Sequence, residues 1–143
     1  RMRVEVATSS GHRLVLDGDP PDGDDSGARP MEMVLAALAG CTAMDVISIL
    51  RKKRQPPAGY EIDVRSERSE AHPRVYTRIV IEHRISGDVR AEAVRRSVEL
   101  SATKYCPVSA MLARGVSIEH RYRIDERPSV LVAVTAPDGS RLG

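Results

Sequence analysis

The sequence predicts an α+β domain in which an antiparallel sheet carries helices on one face. Two observations predict this class. Several segments alternate apolar and polar residues with the period of two that is typical of half-buried strands. One long segment, residues 30–54, is instead apolar on every side between residues 33 and 40, which indicates a buried helix. The resulting element order, ββ–α–ββ–αα–β, is typical of an α+β domain.

The first half of the chain predicts a hairpin, a loop and the long helix. Residues 3–8 and 12–17 suit two strands joined by a tight turn. Residues 18–27 are rich in Gly, Pro and Asp and predict a polar loop. Pro30 then suits the first turn of a helix, where its missing N–H costs nothing.

The second half predicts a sheet crossed by two helices. Strands are expected at residues 60–65, 75–85 and 116–124, where apolar and polar residues alternate. Asp88 is expected to cap a helix over residues 89–103, and a short helix over residues 106–114 is closed by Gly115. After Pro128, residues 130–135 suit an extra strand, and residues 137–143 are expected to form a loose end.

Composition limits the function classes. The 143 residues are enough for one domain with a modest core, and the net charge is only +2. Phe and Trp are absent and no basic stripe is interleaved with aromatic residues, so nucleic acid is not an expected partner. The longest apolar run is expected to be too short and interrupted to span a bilayer. No secretory signal is visible, so a cytoplasmic location is expected.

Two cysteines carry the most informative chemistry. Cys41 and Cys106 are 65 positions apart and form neither a CxxC pair nor a disulfide framework. They could be inert core residues, metal ligands or redox-active thiols. The four histidines show no zinc-ligand spacing relative to them, so neither a metal nor a cofactor is predicted.

The helix around Cys41 places polar residues on the same face after the thiol. Asp45 follows one turn later and, as an acid on an apolar helix, needs a partner, for which an arginine or a helix end is expected. Alone it would raise the pKa of the cysteine, so a reactive Cys41 requires a cation from elsewhere. Glu32 lies nine residues earlier, about 13 Å along the axis, and suits a partner of the helix dipole.

Cys106 precedes Pro107 and is therefore expected at a helix N-cap. There the dipole and the free N–H groups favour a thiolate. By this argument Cys106 is the thiol that ionises more easily, although a small buried hydrophobic residue is the simpler alternative.

The cysteine motifs resemble those of the OsmC/Ohr family, in the OsmC-like branch whose helix opens with Arg-Pro-Met-Glu. The resemblance covers residues 3–125 in order and leaves 126–143 as a C-terminal extension of a single domain spanning residues 1–143. It depends on three segments: residues 29–46, residues 68–75 and residues 104–112.

This resemblance implies an intertwined homodimer in which the long cysteine helices pack between two sheets. It also implies a cysteine-based peroxidase for organic hydroperoxides, active in oxidative or osmotic stress. Cys41 would attack the peroxide and Cys106 would resolve the sulfenic acid to a disulfide. A dithiol, often a lipoyl group in the family, would reduce that disulfide.

The sequence departs from the best-understood branch at two points. That branch has Glu directly after the helix-opening Pro, where this chain has Met31, with Glu32 one position later. That branch also holds the thiolate with an arginine from an early loop, for which Arg29 and Arg13 are the candidates here. Two alternatives therefore stay open: a non-catalytic protein that binds a hydrophobic ligand or senses oxidation, and an acyl- or sulfur-transfer enzyme.

Overall fold

The computed structural model describes the backbone of residues 1–139 and 141–142, and the side chains of residues 1–139. The chain divides into two compact units, residues 1–37 and residues 38 onward, and a long helix, α1 (Pro30–Lys52), belongs to both. The expected α+β class is confirmed.

The first unit contains the expected hairpin. Strands β1 (Val4–Ala7) and β2 (Arg13–Leu16) pair antiparallel, and Gly11 in their turn has a φ of 87°. The loop that follows is organised by Asp17, which is buried and accepts hydrogen bonds from the backbone N–H groups of Gly18, Asp24 and Ser26. The Ser26 hydroxyl also donates to it. These donors hold the pKa of Asp17 well below its usual range.

Helix α1 has the predicted extent but not the predicted burial. In the second unit a stripe of residues one turn apart is fully buried: Leu38, Thr42, Val46 and Leu50. The other face of the helix is open, and Met44 is 73% exposed. The expectation that this helix is buried on all sides is therefore wrong for the single chain.

The expectation that the longest apolar run is too short and interrupted to span a bilayer is also wrong, if only length and composition are considered. Helix α1 has 23 residues and a mean hydropathy of 2.0 in its most apolar window, which is enough to cross a membrane by these criteria alone. The central helix of a soluble protein can have the same length and apolarity, so this property does not assign the chain to a membrane.

The second unit contains a five-stranded sheet in the order β3-β4-β5-β6-β7. Its strands are β3 (Gly59–Arg68), β4 (Tyr76–Ser86), β5 (Ser117–Ile124), β6 (Val130–Thr135) and β7 (Arg141–Leu142). All neighbours pair antiparallel except β4 and β5, which are parallel, so the sheet is mixed rather than wholly antiparallel. The reason is the connection between β4 and β5, which passes through helices, as parallel strands require.

That connection comprises α2 (Ala91–Leu100), a π-helix (Ser101–Tyr105) and α3 (Pro107–Leu112). The expected Asp88 cap is wrong, because Arg90 occupies the N-cap of α2 and makes no side-chain capping bond. The extra strand at residues 130–135 is confirmed. Of the expected loose end, residues 141–142 instead pair with β6, while Ser140 and Gly143 lie outside the described residues.

The core of the second unit lies between the sheet and its helices. Val46 and Leu50 of α1 belong to one buried cluster with Val94 and Val98 of α2 and with Ile124 of the sheet. Burial of such side chains contributes roughly 1.5–3 kcal/mol each. The same strand registers also bury polar groups, notably the two fully buried histidines described next.

His83 on β4 and His120 on β5 are completely buried and uncharged. The Tyr60 hydroxyl hydrogen-bonds His83 Nδ1, and Thr135 Oγ1 lies 3.5 Å from His120 Nε2. Burial lowers the pKa of His120 to about 4. Burial, together with repulsion from His120, lowers the pKa of His83 to about 3. Protonation of either ring would place a charge in the core, which is costly.

We therefore expect the second unit to lose stability as the pH falls below about 6.5, the pKa of an unfolded histidine. Between this value and the folded pKa values the unfolded chain binds more protons. The free energy of unfolding should then fall with a slope approaching about 2.7 kcal/mol per pH unit near pH 5 if both histidines contribute. The free energy of unfolding is measured by urea denaturation at each pH, with tyrosine fluorescence as the signal, since all four tyrosines lie in the second unit.

The control is the pair His12→Gln and His72→Gln, because both of these histidines are exposed. The double variant should keep the slope of the parent protein. An unfolding free energy that does not change between pH 5 and 6.5 would contradict the assignment of neutral buried rings.

Candidate functional site

The two cysteines, distant in sequence, meet in the second unit. Cys41 lies in α1 and is half-buried, and Cys106 is the buried N-cap residue of α3. The Cys41 thiol is close enough to raise the pKa of the Cys106 thiol, and both thiols are free rather than joined in a disulfide. The two cysteines therefore belong to one site.

Its surroundings keep the Cys106 thiol protonated. Its Sγ accepts a hydrogen bond of 3.3 Å from the Ser109 N–H, which confirms the expected N-cap position. The residue is only 3% exposed, and this burial raises the pKa of its thiol to about 12 despite the N–H. The Cys41 contact and the negative charge of Asp45 raise it further. The expectation that the N-cap favours a Cys106 thiolate is therefore wrong, because burial outweighs the N-cap.

A hydroxyl network holds α1 against the π-helix beside the thiols. The Ser101 hydroxyl donates to Asp45 Oδ2 at 2.9 Å and lies 2.8 Å from Thr42 Oγ1. Since the Ser101 proton is used toward Asp45, the Thr42 hydroxyl is the donor in the second bond. The Ser101 carbonyl accepts from the Cys106 N–H at 3.0 Å, the five-residue spacing of a π-helix. Ser101 thus connects the Cys41 helix directly to Cys106.

Sequence reasoning missed Ser101 and Thr42. It required a partner for Asp45 but expected an arginine or a helix end, whereas the partner is a neutral hydroxyl. The signal in the sequence was that an acid on an apolar helix needs a hydrogen-bond partner. That signal could not identify Ser101, which lies 56 residues away from Asp45.

The other predicted supporting residues lie in the first unit and are occupied there. Arg29 pairs with Asp19 and Asp25 and donates to the Gly27 carbonyl. Glu32 accepts from the Arg29 N–H at 3.0 Å, which is the backbone bond of a capping box at the start of α1.

Arg13, the second candidate cation, lies 3.7 Å from Glu5. Within residues 38–139, no hydrogen bond or ion pair joins a lysine or arginine to either thiol. The described residues also contain no group of three or more His, Cys, Asp or Glu side chains that could hold a metal ion.

Two cavities adjoin the thiols and their network. One, here called the Cys106 cavity, has a volume of about 320 Å³ and is lined by residues of the π-helix, α3 and the end of β6, including Lys104, Cys106, Ser109 and Arg114. The other, the Asp45 cavity, has a volume of about 330 Å³ and is lined by Asp45, Lys52 and apolar side chains that include Leu100. The site can therefore be approached from more than one direction.

Comparison with known proteins shows the family. The model of the family described as "OsmC-like protein" matches residues 23–121. The chain is 45% identical over 118 residues to Protein YhfA of Escherichia coli, covering 82% of this chain and 86% of that protein. A hypothetical protein from Aquifex aeolicus is 29% identical with a TM-score of 0.66, and the match covers 87% of this chain and 96% of the other.

A more distant solved structure shares the fold. An organic hydroperoxide resistance protein OsmC from Legionella pneumophila is 14% identical with a TM-score of 0.56, and the match covers 87% of this chain and 97% of the other. The extent of the family match and the 45% identity lead to one conclusion: this chain belongs to the OsmC-like protein family.

Proposed function

We propose that this protein is a thiol peroxidase that reduces organic hydroperoxides through Cys41 and Cys106. The observation that carries the proposal is that a half-buried thiol, Cys41, lies close enough to the buried thiol of Cys106 to raise its pKa. OsmC-family membership and the hydroperoxide resistance proteins among the structural relatives support a role in redox or peroxide stress. The name of the YhfA relative states no activity, so the specific reaction is our inference.

In the first step the Cys41 thiolate attacks the terminal oxygen of the hydroperoxide, the one that is not bonded to the organic group. The O–O bond breaks, the sulfur is oxidised to a sulfenic acid, and the alkoxide takes a proton and leaves as an alcohol. Cys41 suits this role because it is the more exposed of the two thiols.

In the second step Cys106 resolves the sulfenic acid. Its sulfur attacks the Cys41 sulfur, an S–S bond forms, and the hydroxyl leaves with the Cys106 proton as water. A raised pKa keeps this proton on Cys106 until it is needed. An external dithiol then reduces the disulfide and returns both thiols.

Removal of each sulfur in turn tests the order of attack. We expect Cys41→Ser to reduce consumption of tert-butyl hydroperoxide to the uncatalysed rate, because it removes the nucleophile. Cys106→Ser should still reduce one equivalent and then hold a sulfenic acid that dimedone traps on Cys41. The measurements are peroxide consumption with dithiothreitol and mass spectrometry of the adduct.

The matched control is Lys53→Gln, an exposed position directly after the same helix that lines neither cavity, and it should leave turnover unchanged. Turnover that persists in Cys41→Ser would exclude the proposed nucleophile. A dimedone adduct found on Cys106 in the parent protein, with none on Cys41, would reverse the assignment.

Asp45 is proposed as a positioning residue whose charge adds to the effect of burial on the pKa of Cys106. Its charge raises the pKa of that thiol, and its carboxylate accepts from Ser101. In a Cys41→Ser background we expect Asp45→Asn to lower the pKa of Cys106 by less than about one unit, since the amide oxygen keeps the Ser101 bond while the charge is lost. The pH dependence of Cys106 alkylation measures this, and an unchanged pKa would contradict it.

A non-catalytic role is the second candidate. It is favoured by the absence, within residues 38–139, of a lysine or arginine bonded to either thiol, together with Met31 where the best-understood branch has Glu. The Asp45 cavity, with Ile49, Leu100 and Tyr105 in its lining, would then hold a hydrophobic ligand. A ligand retained through purification, with no peroxide turnover, would favour this role.

We also propose that the protein is a homodimer in which the open face of α1 is covered by a second copy. Met44 on this face is 73% exposed, and a helix of this apolarity is costly to leave in water. We expect the parent protein to have the mass of a dimer by light scattering, and Met44→Glu to shift it to monomer because a charge would be buried.

Met111→Glu is the matched control, since Met111 is also exposed but lies on α3. It should leave the dimer intact. A monomeric parent protein at micromolar concentration would exclude the dimer.

A further inference from the structure

The Asp45 cavity contains one acid and one base that do not pair with each other. Its volume of about 330 Å³ is within the range of small-molecule sites. Asp45 supplies a carboxylate and Lys52 an ammonium group, and Ser48 lies between them on the same side of α1. Among the described residues, no ion pair joins Lys52 to an acid, and the Asp45 carboxylate accepts only the Ser101 bond, through Oδ2. Oδ1 of Asp45 is therefore available to a ligand.

The spacing of the two charged residues along the helix leaves a gap that a small molecule can bridge. Residues 45 and 52 are about two turns apart, which is about 10 Å along the axis. Side chains of a helix lean toward its N-terminus, so Lys52, in the last turn of α1, leans toward Ser48 and Asp45. An α-amino acid that makes a hydrogen bond of about 2.9 Å at each charged end spans roughly 8 Å. The cavity thus presents opposite charges at a separation that suits such a zwitterion.

The rest of the lining is largely apolar. Ile49 and Leu100 are half-buried, and Tyr105, which is 50% exposed, also lines the cavity. These side chains can remove an aliphatic group from water, which is favourable. A ligand with a single charge would cover the other charged group of the cavity without pairing it, which is costly. The lining therefore favours a ligand that carries both charges and an apolar side chain.

We propose that the Asp45 cavity binds an α-amino acid with an apolar side chain. The ammonium group of the ligand donates to Asp45, and its carboxylate accepts from Lys52. Its side chain contacts Ile49 and Leu100. The inference does not rest on the proposed peroxidase reaction, because this site uses neither thiol.

Occupancy of the cavity should nevertheless affect Cys106. The negative charge of Asp45 is one of the causes that raise the pKa of the Cys106 thiol. An ammonium group bonded to Asp45 offsets this charge, so a bound amino acid should lower that pKa. The site thus couples amino acid binding to the ionisation of a buried thiol.

The binding test uses L-leucine and two analogues that each lack one charge. The first, 4-methylpentanoate, lacks the ammonium group, and the second, 3-methylbutylamine, lacks the carboxylate. In isothermal titration calorimetry at low salt, L-leucine should bind saturably, and each analogue should bind at least about tenfold more weakly, because a charged hydrogen bond is lost. The absence of saturable L-leucine binding, or equal affinity for L-leucine and either analogue, would overturn the proposal.

Charge variants test whether the ligand lies in this cavity. Lys52→Gln should weaken L-leucine binding at least about tenfold and leave 3-methylbutylamine within about twofold, because the amine has no carboxylate to pair. Asp45→Asn should also weaken L-leucine binding, but it should not weaken the binding of 4-methylpentanoate.

The matched control is Lys53→Gln, which removes the adjacent exposed cation outside the cavity and should bind L-leucine as the parent protein does. An equal loss of affinity in Lys53→Gln and Lys52→Gln would overturn the assignment to the cavity.

The coupling is tested in the Cys41→Ser background, where the pH dependence of alkylation gives the pKa of Cys106. Saturating L-leucine should lower this pKa by less than about one unit, in the same direction as Asp45→Asn, whereas 4-methylpentanoate should not lower it. A pKa that L-leucine does not lower would overturn the placement of the ammonium group at Asp45. None of these measurements uses a hydroperoxide, so their outcome is independent of the peroxidase proposal.

Discussion

The bond from the Ser101 hydroxyl to Asp45 is the contact on which the arrangement of the site depends. It joins two elements that are 56 residues apart, and a buried hydroxyl or carboxylate left without its partner costs roughly 1–3 kcal/mol. A shift of α1 by one turn would leave Asp45, Ser101 and Thr42 all unsatisfied. Hydrophobic packing alone would tolerate such sliding better, because apolar contacts are not directional. The polar contact therefore sets the register that brings Cys41 to Cys106.

Within this register, the two thiols differ because of their surroundings rather than their chemistry. The Ser109 N–H favours a Cys106 thiolate, and burial opposes it more strongly. The π-helix that precedes Cys106 ends with the Cys106 N–H bonded to the Ser101 carbonyl. The same residue thus anchors α1 and holds the backbone of the resolving cysteine. Cys41 is thus the more exposed of two neighbouring thiols, and Cys106 is the buried one with the raised pKa.

Local patterns predicted most elements, and long-range contacts account for the failures. Periodicity identified the hairpin, the extent of α1 and the strand at residues 130–135, because each depends on neighbouring residues. The N-cap at Cys106 was also correct, but its effect on pKa was not, since burial by distant residues is invisible in the sequence. The parallel pairing of β4 and β5 and the Ser101 partner of Asp45 failed for the same reason. The meeting of the cysteines followed from the family resemblance, not from spacing.

In the proposed cycle, burial has two consequences for Cys106. It raises the pKa of the thiol, so that the proton stays on the sulfur until it leaves as water. It also limits the exposed fraction of Cys106 to 3%, so that a hydroperoxide reaches the half-buried Cys41 more readily. A buried and protonated sulfur is poorly suited to attack a peroxide and well suited to resolve a sulfenic acid on its neighbour. The proposed roles of the two cysteines therefore follow from the packing around each of them.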